Sequence, residues 1–252
     1  MNKMELCEVL SVSYPREGVA DITVSAKLAK GAQPGQFVHI KCGDDMLLRR
    51  PISICDAGDD TLRLMIEDVG AGSHFLVGRK PGDILDILGP LGKTPFKLPP
   101  PSDTPILLIG GGLGAAPLLM LGKRAKVPVD VVLGFRTEKL IILEKDFSES
   151  CRLLHVCTDD GSYGHHGTVT KFAEQRAART GYQAIYACGP IPMLRAVAEL
   201  GGRIGLPTYV SLEARMCCGV GSCLGCAVKT KDDRYVHVCK EGPVFDAKEV
   251  AW

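Results

Sequence analysis

The chain has 252 residues, room for one large domain or two to three small ones with a buried core. Apolar residues make up 46% and charged residues 23%, which argues against disorder and fibrous repeats, and 30 basic against 29 acidic residues leave a net charge of +1, too weak a field for nucleic acid or an anionic membrane. The one oddity is eleven cysteines, which calls for disulfides, a metal site or reactive thiols.

The stretch from Met1 to Cys7 contains Glu5, and Glu8 follows, so no export signal is expected and the thiols are expected to stay reduced in the cytoplasm. Short runs rich in β-branched residues at 6–13, 19–26, 37–41, 52–55, 62–69 and 84–88 predict six strands. With no long helix among them, they predict an antiparallel β-barrel over 1–98. Pro99, Pro100 and Pro101 then break any regular structure and mark a stiff linker.

Beyond the linker the rhythm changes. Apolar runs at 106–109, 129–135, 153–158 and 184–187 suit strands buried on both faces, and helix-like segments at 115–126, 143–151, 168–179 and 192–200 alternate with them. That alternation predicts a doubly wound α/β domain over 104–210. The uncharged run between Asp103 and Lys123 holds Pro105, Gly110, Gly111, Gly112, Gly114 and Pro117, so it predicts a strand, a loop and a helix rather than a membrane span. Residues 211–252 are short-patterned and glycine-rich, a small third domain. The whole is an α+β multidomain chain.

Five cysteines lie between Cys217 and Cys239, while Cys7, Cys42, Cys55, Cys151, Cys157 and Cys188 are scattered and read as small buried hydrophobes. Cys218, Cys223 and Cys226, with Cys239 downstream, have the C-x4-C-x2-C spacing of plant-type [2Fe-2S] ligands. Intervening glycines supply a backbone free to wrap a cluster. Structural zinc is the alternative, but it prefers two close cysteine pairs, which Cys239 does not complete; Cys217 is a spare thiol.

Gly110, Gly111, Gly112 and Gly114 follow a strand run and precede a helix, where bare backbone and a helix start suit a pyrophosphate; tight strand-to-helix packing would use the same glycines. The acidic residue expected about 20 positions later falls at Asp130, at the start of a strand rather than its end, so an ordinary dinucleotide dehydrogenase is not expected. In Arg49-Arg50-Pro51-Ile52-Ser53-Ile54 an arginine can pair with phosphate and the serine can reach a flavin edge, though a solvated basic pair on an edge strand reads the same. Gly70-Ala71-Gly72-Ser73 offers a turn and a helix start.

Taken in order, these runs and Cys188-Gly189-Pro190 resemble the ferredoxin–NADP reductase superfamily of flavoproteins. Together with Ser211-Leu212-Glu213-Ala214-Arg215-Met216, the cysteine loop and the run from Cys239 to Phe245, the chain resembles the electron-transfer subunits of class 1B dihydroorotate dehydrogenases. The resemblance implies FAD on Arg50, Pro51, Ile52, Ser53, Met65, Ile66, Glu67, Gly72 and Ser73. It implies NAD, an exchangeable co-substrate, near Gly110, Gly111, Gly112, Gly114, Cys188, Gly189 and Pro190, and a [2Fe-2S] cluster on Cys218, Cys223, Cys226 and Cys239. Glu67 departs from a common basic residue, so its side chain is expected to point away from a flavin phosphate.

A chain holding both cofactors converts electron pairs to single electrons, with no protein nucleophile or acid–base pair needed. By resemblance the partner is an FMN-containing dihydroorotate dehydrogenase subunit, in a heterotetramer of two plus two chains making orotate for pyrimidine synthesis, with NAD+ as acceptor. His165 and His166 read as solvated and His237 as a non-ligand. Two alternatives stand: the small subunit of an electron-bifurcating NADH-dependent ferredoxin–NADP oxidoreductase or a sulfide dehydrogenase, for which Arg136 could favour a 2′-phosphate, and a zinc-stabilised interaction module.

Overall fold

The computed structural model describes residues 3–252; Met1 and Asn2, which open the stretch read for an export signal, lie outside the described residues. Strands β1 (Lys3–Arg16), β2 (Val19–Ser25), β3 (Phe37–Ile40), β4 (Arg50–Ala57) and β5 (Thr61–Glu67), helix α1 (Ala71–Val77) and strand β6 (Ile84–Leu91) form the first unit. The strands close an antiparallel barrel in the order β1-β2-β5-β4-β3-β6. Alternation drives closure: Leu85 and Ile87 of β6 point inward while Ile84 and Asp86 do not. Ile22, Val38, Ile40, Ile54 and Leu64 meet in the barrel core, each worth about 1.5–3 kcal/mol once fully buried.

The second layer begins with β7 (Ile106–Gly111), α2 (Ala116–Arg124), β8 (Val129–Phe135), α3 (Glu144–Ser150) and β9 (Leu153–Thr158). It continues through β10 (His165–His166), α4 (Val169–Ala177), β11 (Ile185–Cys188), α5 (Ile191–Ile204) and β12 (Thr208–Ser211). These six strands are parallel, and all but the short, exposed β10 are covered by α2 and α3 on one side and α4 and α5 on the other. Helix α2 has proline in its first turn, and α5 stops where Gly205 takes a left-handed C-cap whose N–H bonds Gly201.

The order β10-β9-β8-β7-β11-β12 reverses direction at β7. In such sheets the crevice outside the carboxyl ends of the strands at that reversal is where ligands sit. Residues 211–252 add the hairpin β13 (Ala227–Lys229) and β14 (Tyr235–His237) and return β15 (Val244–Asp246) antiparallel to β12 as a seventh strand. Phe245, Val250, Cys226 and Cys239 therefore share one core with α4 and α5.

Among the scattered cysteines, Cys7, Cys42, Cys55, Cys157 and Cys188 are buried and Cys151 is half-buried. Burial pushes Cys7 up to about 12, so it is a thiol at neutral pH. His165 and His166 are exposed, but they form the short β10 rather than a free turn, with the His165 ring stacked on Phe172 at 4.0 Å. Among the described residues no helix is long and apolar enough to cross a membrane.

Candidate functional site

Between the barrel and the α/β layer lies a cleft of about 420 Å³. Its barrel side carries Arg50, Pro51, Ile52 and Ser53 of β4, Met65, Ile66 and Glu67 of β5, and Ser73 of α1. The opposite side carries Leu113 and Ala116 from the glycine loop and helix α2, Ser211 at the end of β12, and Leu212 and Glu213 after it. Gly72 touches the same region, because a Cβ there would collide with the Arg50 guanidinium. The structure thus brings together all nine residues expected to hold FAD, and adds Phe37, Leu113 and Pro243, to which the sequence assigned no flavin contact.

The two adjacent arginines have different work. Arg49 Nη2 is 2.8 Å from Asp86 Oδ2, and its Nη1 donates to the Asp86 carbonyl, so it ties the chain just before β4 to β6. Arg50 donates to the Leu48 carbonyl and has no carboxylate partner among the described residues, which leaves its charge available to an anion. Ser73 Oγ accepts from the Val69 and Gly70 N–H groups at 2.9 and 3.0 Å and donates to the Gly70 carbonyl, so its hydroxyl is consumed within the turn. Glu67 lines the cleft, and its carboxylate pairs with Arg16. Glu213 is exposed at the edge of the cleft, and the desolvating protein around it first, then the Glu67 carboxylate, raise its pKa.

The nucleotide motifs meet at the carboxyl ends of β7 and β11. Gly114 is glycine because a Cβ would lie 2.5 Å from the Cys188 carbonyl oxygen and 2.6 Å from the Gly189 nitrogen. Gly111 similarly faces Met193 Sδ and Pro190, while Gly112, with φ of 55°, turns the chain into the helix. The loop after β7 is therefore pressed against Cys188-Gly189-Pro190 across the reversal point of the sheet. Cys188 is buried, and burial first, then the Glu213 carboxylate, keeps it a thiol.

In the cysteine loop, Cys218 Sγ accepts N–H groups from Val220, Ser222 and Cys223 at 3.4, 3.3 and 3.4 Å. Burial would raise its pKa, but the Val220 and Cys223 N–H bonds outweigh it and bring the thiol down to about 6. Positive φ at Gly219, Gly221 and Leu224 aims those amides inward. Cys226 and Cys239 are buried with sulfurs 3.2 Å apart.

The four thiols thus stand as two pairs, Cys218 with Cys223 and Cys226 with Cys239. Among the described residues no three Cys, His, Asp or Glu side chains converge on one point. Two pairs of thiolates suit two irons better than one tetrahedral ion, so the residues present fit a two-iron cluster. Cys217 is exposed, and a Cβ on Gly225 would be 3.9 Å from its sulfur and 3.6 Å from that of Cys223, so the spare thiol lies beside the outer pair. His237 is turned to Glu241 at 3.2 Å.

Comparison with known proteins agrees with this geometry. Residues 213–251 match the family described as the iron-sulfur cluster binding domain of dihydroorotate dehydrogenase B, and residues 108–199 match the oxidoreductase NAD-binding domain. The chain is 42% identical over 256 residues to the dihydroorotate dehydrogenase B (NAD(+)), electron transfer subunit, of Geobacillus kaustophilus, covering 98% of each chain. It is equally similar to the subunit of the same name from Bacillus caldolyticus, 42% identical with 98% of each chain covered. Among solved structures, one of an NADH-dependent reduced ferredoxin-NADP oxidoreductase, described for flavin-based electron bifurcation, superimposes with a TM-score of 0.88 at 30% identity, covering 98% of this chain and 90% of the other.

Proposed function

The chain belongs to the family of dihydroorotate dehydrogenase B electron transfer subunits, and we propose that it passes electrons from the oxidation of dihydroorotate to orotate, through a [2Fe-2S] cluster and FAD, to NAD+. The partner in this reading is the FMN-containing catalytic subunit, in an assembly of two plus two chains. The compartment is the cytoplasm, a reading supported by eleven free cysteines.

One observation carries it: the candidate flavin cleft shares a wall with each of the other two sites. Phe37 lines the cleft and packs in the same core as Cys226 and Cys239, while Leu113 and Ala116 join the cleft to the glycine loop. When bound, a flavin exchanges electron pairs with NAD and single electrons with a two-iron cluster. The protein's part is positional. The Arg50 guanidinium, with no carboxylate partner among the described residues, would hold a phosphate oxygen, and Ser53 lines the cleft beside it. The loop from Gly110 to Gly114 offers bare backbone to the nucleotide, and Cys188, held as a thiol, packs there without acting as a nucleophile. Phe37, Met65 and Leu212 keep water from the cleft wall. On the outer side, Val220 and Leu224 of the cysteine loop are exposed beside the buried pair of thiols, a surface suited to a partner that must bring its own flavin close.

Co-purification with the neighbouring catalytic subunit tests the reading. The complex should show flavin and iron–sulfur absorption and reduce NAD+ with dihydroorotate, and Cys223→Ser should lose the iron–sulfur bands while keeping FAD. A complex that reduces NAD+ with another donor and never with dihydroorotate overturns the substrate assignment. A partner carrying further iron–sulfur clusters would instead favour the bifurcating oxidoreductase, the reading that the structural neighbour supports.

A further inference from the structure

His39 has no part in the site as described, yet its surroundings are unusual. It is 0% exposed, and neither ring nitrogen has a hydrogen-bond partner among the described residues. Buried polar groups are almost always hydrogen-bonded, so an orphaned imidazole implies an acceptor that completes it.

Its position shows where that acceptor would be. Along β3, Val38 and Ile40 point into the barrel core, so Phe37 and His39 point the other way. Phe37 walls the flavin cleft and packs with Cys226 and Cys239. Two residues on, the His39 ring lies under the cysteine loop, where a Cβ on Gly219 would be 2.9 Å from Nδ1 and 3.0 Å from Cε1. Gly219 follows Cys218, and its left-handed φ of 69° bends the loop around that point. Burial first, then Arg49 and Arg50, keeps the ring neutral. A neutral imidazole has one N–H to give, and sulfur is the acceptor that a cluster in this loop would present.

We propose that His39 donates a hydrogen bond to sulfur at the iron–sulfur site and thereby sets the cluster's reduction potential relative to the flavin across the same strand. The inference rests on the reading that Cys218, Cys223, Cys226 and Cys239 hold the cluster. A donor to sulfur withdraws electron density and favours the reduced cluster.

The experiment is a redox titration of the loaded holoprotein followed by electron paramagnetic resonance. His39→Leu keeps the packing beneath Gly219 and removes the donor. The one-electron equilibrium should then shift at least tenfold against the reduced cluster, about 59 mV for one electron, and His39→Gln, which retains an N–H, should recover most of the shift. An unchanged midpoint in loaded His39→Leu overturns the proposal. If that variant does not load, protein carrying ¹⁵N-labelled histidine decides: pulsed resonance of the reduced wild-type cluster should show a coupling to a histidine nitrogen that His39→Gln lacks. No such coupling, or one that persists in His39→Gln, overturns it equally. A wild-type protein with no iron–sulfur signal overturns the reading of the four cysteines instead.

Discussion

Asp130 lies where a ribose-binding acid would be sought by spacing from the glycine loop, but its neighbours give it other work. It is 1% exposed; Arg152 donates to it through Nε at 2.8 Å and Nη2 at 2.7 Å, the Tyr182 hydroxyl donates at 2.7 Å, and Arg176 stands 3.6 Å away. Burial opposes ionisation, but the Arg152 and Tyr182 hydrogen bonds and both cations outweigh it, so the pKa is lowered. Arg152 is 42% exposed and its attraction is screened by solvent, so Asp130→Asn should lower the urea midpoint at neutral pH with a loss of about 1–3 kcal/mol of unfolding free energy, while leaving the KM for NADH unchanged. Because the folded carboxyl ionises below its unfolded value of about 3.9, its contribution is complete above that pH and fades as pH falls through the folded value. Wild type and variant should therefore converge in acid. Equal midpoints at pH 7, or a raised KM, would return Asp130 to the nucleotide site.

Elements were legible in the sequence wherever a local pattern ran long enough. Strands β8 and β9 fall where the apolar runs at 129–135 and 153–158 put them, and the six barrel strands follow their alternation. Strands β12 to β15 went unread because they are short and, unlike the equally short β3 and β11, carry a polar or charged residue at one or both ends instead of a longer apolar run, and β15 is defined by pairing with β12 rather than by its own pattern. The site divides in the same way. The cysteine spacing and glycine loop are local and readable, whereas the split between Arg49 and Arg50 depends on Asp86, and the setting of His39 depends on Gly219, both distant in sequence. Contact between the loops after β7 and β11 is likewise invisible in either motif alone, and it can be broken at one atom. Gly114→Ala would drive a methyl into the Cys188 carbonyl, an overpacking that costs about 1–3 kcal/mol. Since the two loops must separate to admit it, NADH binding should weaken by about tenfold or more, with flavin and iron content unchanged. A variant with native NADH affinity would show that the crevice does not need this contact.

Over the whole molecule the net charge of +1 hides an uneven surface. A groove of about 760 Å³ runs from the barrel to the cysteine loop, and Lys27, Lys30, Lys93 and Lys240 line it with Val220 and Cys239 and no carboxylate. Lys240 has only a loose contact with Glu241, 3.9 Å away. Placed beside the exposed Val220 and Leu224, this gives the cluster end of the molecule an apolar tip with a basic flank, the complement of a partner face that is acidic around an apolar centre. Rim charges of this kind act mainly on encounter, and their reach falls with the Debye length, from about 30 Å at 0.01 M salt to about 3 Å at 1 M. Association with the catalytic subunit, followed by stopped flow, should therefore slow at least tenfold across that range. The double change Lys30→Glu and Lys93→Glu should slow association at low salt and flatten the salt dependence, while dissociation changes little and the flavin and iron–sulfur spectra remain native. If that variant associates at the wild-type rate in low salt, the partner docks elsewhere and the groove is ordinary solvated surface.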